Sequence, residues 1–264
     1  ATPQGNKFPQ GTLRCTVKSS PLTKLPSALI STVASASAKM IALVYDADED
    51  DRRPGLLMVP NWMGVSENAA TKAALLAGDK YVIFVADMYG KAIRPTNADE
   101  AKVAATTVRS DRPLMRKRAQ AAVEVLKAQA GQVALDTTQL GAIGFCFGGG
   151  TVLELARSGA QLKGFVSFHG NLDTPNPSDA QNIKAPVLVL HGADDPAVPQ
   201  AQVDGFIAEM KAAKADWQLV SYGGAVHSFT SPVANVPGRN EYHPVVAARA
   251  FKAMDDLFAE TFAE

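Results

Sequence analysis

The sequence predicts an α/β fold with a mostly parallel β-sheet that carries helices on both faces. From Met40 to the C-terminus, short apolar runs alternate with segments of helical character. Most of these runs are apolar at every position, which is typical of strands buried on both faces. Strand–helix alternation of this kind builds a parallel sheet. No internal repeat and no Pro/Gly-rich linker divides this part of the chain, so we expect one domain over residues 39–264.

The predicted elements follow one another in regular order. The apolar runs predict strands over 40–45, 55–60, 81–86, 140–145, 163–168, 185–190 and 217–222. The segments between and after them predict helices over 67–76, 99–107, 113–127, 151–156, 202–213 and 244–262. The last helix repeats its apolar residues every three to four positions, as an amphipathic helix does. In the third helix, Arg116, Lys117 and Arg118 are interpreted as a solvated face rather than a phosphate-binding patch.

Residues 1–38 differ from the rest of the chain. They are rich in Ser, Thr, Pro and Lys and show no sustained period of a strand or a helix. We interpret them as an N-terminal extension on the surface of the domain. Residues 29–38 end in a run of small side chains, which is faintly similar to a secretory cleavage region. Because this similarity is weak, we predict a cytoplasmic location. Export is the alternative if the extension is the remnant of a processed segment.

Composition narrows the classes of function. The chain has 26 Lys and Arg against 26 Asp and Glu, and this balance argues against a nucleic-acid partner. No uninterrupted apolar stretch reaches the roughly 18 residues that a transmembrane helix needs, so no membrane role is expected. Two cysteines, Cys15 and Cys146, are too few for a disulfide framework. The four histidines lack metal-binding spacing and no nicotinamide-binding glycine motif is present, so neither a metal nor a cofactor is expected.

The strongest chemical signal lies in residues 139–156, where an apolar strand runs through Cys146 into a helical pattern. Gly144 and Gly148 stand two residues before and two residues after the cysteine. This is a Gly-x-Cys-x-Gly version of the nucleophile elbow, a turn too tight for bulky side chains at those two positions. The turn exposes the thiol at a helix N-terminus, which favours the thiolate. The alternative interpretation is a glycine-rich turn around a structural cysteine.

Two later loops supply the partners that a cysteine nucleophile needs. Asp194 and Asp195 follow the strand predicted over 185–190, and His227 follows the strand predicted over 217–222. The order nucleophile, acid, histidine is that of hydrolases built on this elbow. The three loops together predict a Cys–Asp–His triad, with either aspartate as its acid at this point.

With these motifs the chain resembles the dienelactone hydrolase family, a cysteine-using branch of the α/β-hydrolase fold. The resemblance runs from about residue 40 to the C-terminus and rests on RPGLLMVPNWMGV (53–65), ADMYGK (86–91), GFCFGG (144–149), HGADDPAVP (191–199) and VHSF (226–229). It implies hydrolysis of carboxylic esters or lactones through a thioester on Cys146. The family pattern places the catalytic aspartate four residues before the loop proline, which is Asp195 before Pro199. The oxyanion is then expected at the backbone N–H of Phe147, the residue after the nucleophile, and at Trp62, to which the family match points.

The sequence also departs from the family pattern. Asn61 stands where characterised members have a glutamate that interacts with the resting cysteine, so activation is expected to rest on His227 and the helix dipole. Lys91 and Ser231 stand where two arginines hold the carboxylate of dienelactone. Lys91 supplies a point charge without a bidentate fork, and Ser231 supplies no charge. We therefore expect a broader, more apolar pocket, with walls from Trp62, Met63, Phe147, Phe168 and Phe229.

Other functions are compatible with the same residues. The triad could attack phosphotriesters instead of carboxylic esters, or the fold could serve as a non-catalytic receptor for a small molecule. In each case the expected partner is a small molecule, an ester or lactone in the leading interpretation. The sequence leaves a monomer and a homodimer open.

Overall fold

The computed structural model describes residues 28–31, 42–46 and 51–263. Within these ranges the strands are β1 (Ala28–Ser31), β2 (Ala42–Asp46), β3 (Arg53–Val59), β4 (Val82–Val85), β5 (Leu135–Phe145), β6 (Phe165–Phe168), β7 (Val187–Gly192), β8 (Trp217–Tyr222), β9 (Asn235–Val236) and β10 (Asn240–Glu241). The helices are α1 (Glu67–Ala77), α2 (Ala98–Ser110), α3 (Arg112–Lys127), α4 (Phe147–Arg157), α5 (Gln200–Ala213) and α6 (Pro244–Ala263). Short 3₁₀ turns span Ala128–Gly131 and Pro177–Asn182.

The first eight strands of the described chain form one sheet in the order β1-β2-β4-β3-β5-β6-β7-β8. The six strands from β4 to β8 in that order are parallel to one another, whereas β1 and β2 pair antiparallel at one edge. The predicted mostly parallel α/β fold is confirmed. No helix within the described ranges has both the length and the apolar character to cross a membrane.

Each face of the sheet packs against its own layer of helices. In β3, Leu57 and Val59 belong to the core shared with α2, α3, α4 and α5. Leu56 and Met58 point to the other side and join the core formed with α1 and α6. All four side chains are fully buried, which explains why this strand is apolar at successive positions instead of alternating.

Side-chain caps define where several helices begin. The Ser66 hydroxyl accepts from the Ala69 N–H at the start of α1, and the Asn97 side chain accepts from the Glu100 N–H at the start of α2. Asp111 caps α3 in the same way. Each cap satisfies a backbone donor that has no partner inside the helix.

The strand order reverses at β3 and thereby creates a crevice. The chain crosses from β3 to β4 on one side and then returns to place β5 on the other side. In open parallel sheets, ligands bind beyond the carboxyl ends of the strands at such a reversal. The loop after β3 contains Trp62 and the turn after β5 contains Cys146, so both lie at this crevice.

The structure differs from the sequence prediction in several places. β5 begins at Leu135 rather than at 140, because its polar start pairs with Arg53 and Pro54 despite an Asp-Thr-Thr sequence. α4 begins at Phe147 rather than at 151, so its first turn is the glycine-rich segment itself. β1 lies inside the predicted extension, where no strand was expected; the other residues of 1–38, including Cys15, lie outside the described ranges. The short β9–β10 hairpin was also not predicted.

The interpretation of Arg116, Lys117 and Arg118 as a solvated face is wrong for Arg116. Its guanidinium pairs with Glu154 on α4 at 2.8 Å and with Asp179 at 2.6 Å. Arg118 donates to the Met88 carbonyl at 2.6 Å, and only Lys117 of the three residues is exposed. The carboxylates that pair with Arg116 come from distant parts of the chain, which helical periodicity does not reveal.

Candidate active site

Cys146 occupies a strained turn between β5 and α4. Its backbone has φ 56° and ψ −118°, a conformation that residues with a side chain rarely adopt. A Cβ at Gly144 would overlap the Gly148 carbonyl, and a Cβ at Gly148 would overlap the Val59 carbonyl at the end of β3. The two glycines are therefore required sterically, as expected for the elbow.

The position of Cys146 is fixed through its backbone. Its N–H donates to the Phe168 carbonyl at 3.0 Å, and its carbonyl accepts from the N–H groups of Gly149 and Gly150 at 2.9 and 3.2 Å. The residue is half-buried. It stands directly before the first turn of α4, where the helix dipole favours negative charge.

His227 and Asp195 form a buried pair near Cys146. The Nδ1 atom of His227 lies 2.7 Å from Asp195 Oδ2, while Asp195 Oδ1 accepts from the Ala197 N–H at 2.8 Å. Asp194 is exposed and accepts from the Gly224 N–H at 3.0 Å, so it holds the neighbouring loop instead. Of the two aspartates, only Asp195 contacts the histidine.

The surroundings of His227 favour its imidazolium form. Burial by itself lowers the pKa of His227, but hydrogen bonds to Asp195 and Cys146 and the charges of both residues raise it to about 10. Since Nδ1 is directed to Asp195, Nε2 is the ring nitrogen left for Cys146. The Asp195 carboxylate therefore braces His227 in its protonated form.

The loop after β3 is held in a defined shape by Asn61 and Tyr89. Asn61 Oδ1 accepts from the Met63 N–H at 3.0 Å, and its carbonyl accepts from the Gly64 N–H at 2.9 Å. The Tyr89 hydroxyl donates to the Trp62 carbonyl at 2.7 Å. Asn61 therefore orders the loop that carries Trp62, in the position where the family has a glutamate.

Tyr89 is a site residue that the sequence reasoning did not single out. Its side chain is buried, and its ring packs against Phe147 with centroids 5.6 Å apart. Asp87 orders the same loop by accepting from the N–H groups of Tyr89 and Gly90 and by pairing with Arg94 at 2.7 Å. The signal was present in the ADMYGK motif, which lies just after β4 at the same edge of the sheet.

A cavity of about 560 Å³ lies beside these residues, between α1, α6 and the loop after His227. We call it the α1/α6 cavity. None of Cys146, Asp195 and His227 lines it, but Asn61 and Ser228, the chain neighbours of Trp62 and His227, do. Its walls include the partly buried Lys72 and the fully buried imidazole of His169, whose ring lies 5.3 Å from that of His227. Lys72 was not among the predicted site residues.

The predicted substrate contacts are only partly brought together. Ser231 and Asn61 line the α1/α6 cavity, whereas Lys91 is exposed and does not line it. Phe229, predicted as a pocket wall, does not line this cavity; its side chain is fully buried and packs edge-on against His169, with ring centroids 5.1 Å apart. Phe168 is likewise fully buried, in a stack with Phe145. Phe168 does not line the α1/α6 cavity either.

Comparison with known proteins places this geometry in context. The family model of the dienelactone hydrolase family matches residues 40–262. A solved dienelactone hydrolase-like promiscuous phosphotriesterase from metagenomic libraries is 37% identical with a TM-score of 0.80, covering 89% of this chain and 98% of that protein. A probable 2-oxo-3-(5-oxofuran-2-ylidene)propanoate lactonase of Bradyrhizobium is 28% identical over 76% of this chain and 81% of its own length. A putative carboxymethylenebutenolidase of Salmonella typhimurium is 27% identical over 80% of this chain and 78% of its own length.

Proposed function

Because this chain belongs to the dienelactone hydrolase family of lactone and ester hydrolases, we propose that it cleaves carboxylic esters or lactones with Cys146 as the nucleophile. His227 serves as the acid and base, and Asp195 orients it. The observation that carries the proposal is the buried His227–Asp195 pair at 2.7 Å beside a cysteine on a strained turn. A structural cysteine would need neither the strain nor the paired histidine.

The chemistry follows from these positions. The Cys146 sulfur attacks the carbonyl carbon and forms a C–S bond, while the carbonyl π electrons move to the oxygen. When the tetrahedral intermediate collapses, the C–O bond to the leaving alkoxide breaks and His227 gives that oxygen its proton. His227 then removes a proton from water, which attacks the thioester and releases the acid. The thiolate–imidazolium pair is restored at the end of the cycle.

The oxyanion is stabilised by two backbone N–H groups in this proposal. Phe147 is the first residue of α4, so its N–H has no acceptor inside the helix. The close packing of Gly148 on the end of β3 brings this helix N-terminus to the loop that carries Trp62, whose N–H is the second donor. Loss of one such donor lowers kcat by about 10²–10³-fold in other enzymes.

Mass spectrometry after mixing with p-nitrophenyl acetate tests the proposal. We expect one acetyl adduct on the Cys146 peptide at short times, and its loss on further incubation. Cys15→Ser is the matched control and should still form the adduct, whereas Cys146→Ala should form none and should release no p-nitrophenol above the uncatalysed rate. An adduct on another residue, or full turnover by Cys146→Ala, would show that Cys146 is not the nucleophile.

Phosphotriester hydrolysis is a second candidate activity, favoured by the 37% identity to a promiscuous phosphotriesterase. Attack by Cys146 on phosphorus would expel the aryloxide and leave a phosphorylated cysteine, which water must then hydrolyse. Steady-state rates with paraoxon and with p-nitrophenyl acetate rank the two activities. We expect the ester to have the larger kcat/KM; both activities should disappear in Cys146→Ala.

A further inference from the structure

The wall of the α1/α6 cavity includes the Lys72 ammonium, which has no carboxylate partner among the residues that the structure describes. Lys72 projects from α1, and its ammonium donates to the Thr230 carbonyl at 3.0 Å and to the Thr230 hydroxyl at 3.2 Å. The ammonium also lies 4.3 Å from the centroid of the Phe145 ring. Within the described residues no Asp or Glu forms a salt bridge with it. Lys72 is half-buried, and a cation partly removed from water without a counter-ion gains from an anion that pairs with it.

The carboxylates on the cavity wall, Asp79 and Asp255, form no salt bridge with Lys72. Asp255 on α6 is already paired with Lys80 at 2.8 Å and accepts from the Tyr81 hydroxyl at 3.4 Å. Asp79 lies at the same end, just beyond α1. At the Lys72 end the titratable neighbour is His169, which shares the Thr230 hydroxyl at 2.9 Å, and burial together with the charges of His227 and Lys72 keeps the pKa of His169 well below its usual range. Tyr242 is the remaining titratable residue on the wall.

The rest of the wall is largely apolar. Its hydrophobic members come from both helices, the sheet and the neighbouring loops, and they include Met58, Ala69, Leu76, Phe145, Phe251 and Met254. A volume of about 560 Å³ lies within the range of small-molecule sites. A largely apolar surface beside an ammonium that has no salt-bridge partner in the described chain is complementary to a molecule that has an apolar body and a single negative charge.

From this complementarity we infer that the α1/α6 cavity binds an apolar carboxylate, with the Lys72 ammonium as its counter-ion and Thr230 fixing that ammonium in place. The carboxylate would accept a charge-assisted hydrogen bond from Lys72 while its hydrocarbon part covers the Phe145 and Met254 side chains. This site lies apart from the exposed Lys91, which the sequence had suggested as the cationic contact. The inference concerns binding and does not require Cys146 to be the nucleophile.

Proton uptake gives the inference a specific signature. Burial lowers the pKa of Lys72 to about 8. At pH 8 about half of the Lys72 side chains are therefore neutral, and a carboxylate that pairs with the ammonium must raise this pKa. Binding should take up as much as about half a proton at pH 8, and less at pH 6.5, where Lys72 is already charged.

Isothermal titration calorimetry with octanoate, in two buffers of different ionisation enthalpy, measures both affinity and proton uptake. 1-Octanol is the neutral probe of the same chain length. We expect octanoate to bind about tenfold or more tightly than 1-octanol at pH 6.5, because a hydrogen bond between charged groups is stronger than one between neutral groups. The same titrations on Cys146→Ala separate this inference from the proposed catalytic role, since octanoate should still bind that variant.

Three variants of Lys72 complete the experiment, each checked for folding by circular dichroism. Lys72→Met and Lys72→Gln should lose the preference for octanoate, and Gln retains the ability to donate to Thr230. Lys72→Arg keeps a permanent charge, so it should bind octanoate without proton uptake at pH 8. The inference is overturned if octanoate fails to bind, if octanol binds equally well, or if Lys72→Gln binds octanoate as the wild type does.

Discussion

At the level of single residues, the site depends on whether the buried His227 side chain stays protonated. The folded environment raises the pKa of His227 to about 10 from an ordinary value of 6.5, with Asp195 and Cys146 as the stabilising partners. A raised pKa means that protonated His227 stabilises the fold. This contribution is complete below about pH 6.5 and is lost as the pH rises towards 10.

We therefore predict that wild type and His227→Gln differ most in free energy of unfolding at pH 6, and that the difference shrinks by pH 10. Urea denaturation at pH 6, 8 and 10 measures it. Asp194→Asn, which changes the exposed neighbour of Asp195, should follow the wild type across this range. A difference that stays constant between pH 6 and 10 would contradict the imidazolium assignment.

Tyr89 positions the loop that carries Trp62, and kinetic measurements can separate this positioning role from a purely structural one. Tyr89→Phe removes the hydroxyl that holds the Trp62 carbonyl at 2.7 Å. We expect kcat for p-nitrophenyl acetate to fall about fivefold with little change in KM, since one lost hydrogen bond is worth about 1 kcal/mol. Tyr81 lies just before β4 and is bonded to Asp255 instead, so Tyr81→Phe should leave kcat unchanged. Equal losses in the two variants would mean that the Trp62 loop is not positioned by Tyr89.

At the level of elements, the strand–turn–helix unit β5–α4 works because its backbone approaches other backbone closely. The Gly148 Cα faces the Val59 and Pro60 carbonyls without space for a methyl group. Gly205 in α5 is exposed and has open space around it. Close backbone contacts thus require glycine at position 148, whereas the space around position 205 would accept a side chain.

We predict opposite effects of alanine at these two positions. Gly148→Ala should lower the free energy of unfolding by about 1–3 kcal/mol through overpacking, and should reduce ester hydrolysis because α4 moves away from the Trp62 loop. Gly205→Ala should raise the free energy of unfolding by about 0.5–1 kcal/mol and leave hydrolysis unchanged. Chemical denaturation and steady-state kinetics measure both; a Gly148→Ala protein as stable and active as the wild type would disprove the close approach.

At the level of the whole molecule, a buried ionic network joins three helices on the face that carries α4. Arg157 is almost fully buried and pairs with Glu209 on α5 at 2.7 Å and with Glu154 on its own helix at 3.1 Å. Glu154 also pairs with Arg116 from α3 at 2.8 Å. The network fixes α4, and with it the turn of Cys146, to the neighbouring helices.

Replacing Arg157 with Met should lower the free energy of unfolding by about 3–5 kcal/mol, because Glu209 and Glu154 would remain buried with fewer partners. Urea denaturation provides the measurement. Lys252→Met removes the cation of an exposed pair with Asp256, and it should leave the denaturation midpoint unchanged, since exposed ion pairs contribute little. A small effect of Arg157→Met would mean that the buried carboxylates are stabilised by other groups.

Much of this molecule follows from short-range sequence patterns. Fully apolar runs indicate strands buried on both faces, and every predicted strand and helix is present in the described chain. Glycines flanking Cys146 indicate a sharp turn, since steric exclusion depends on residues only two positions away. The loops that carry Asp195 and His227 each follow a predicted parallel strand. Because the carboxyl ends of parallel strands lie at one edge of a sheet, both loops could be placed at that edge from the sequence.

Long-range contacts decided the rest. Asp195 rather than Asp194 meets His227 because the turn after β7 directs only one carboxylate inward. Phe229 became core because α6 and β8 close over it, and Arg116 became part of an ionic network because Glu154 and Asp179 approach it from elsewhere. Lys72 faces a cavity built by two helices that are distant in the chain. Burial and partner choice depend on which remote segments meet, and local periodicity carries no information about that.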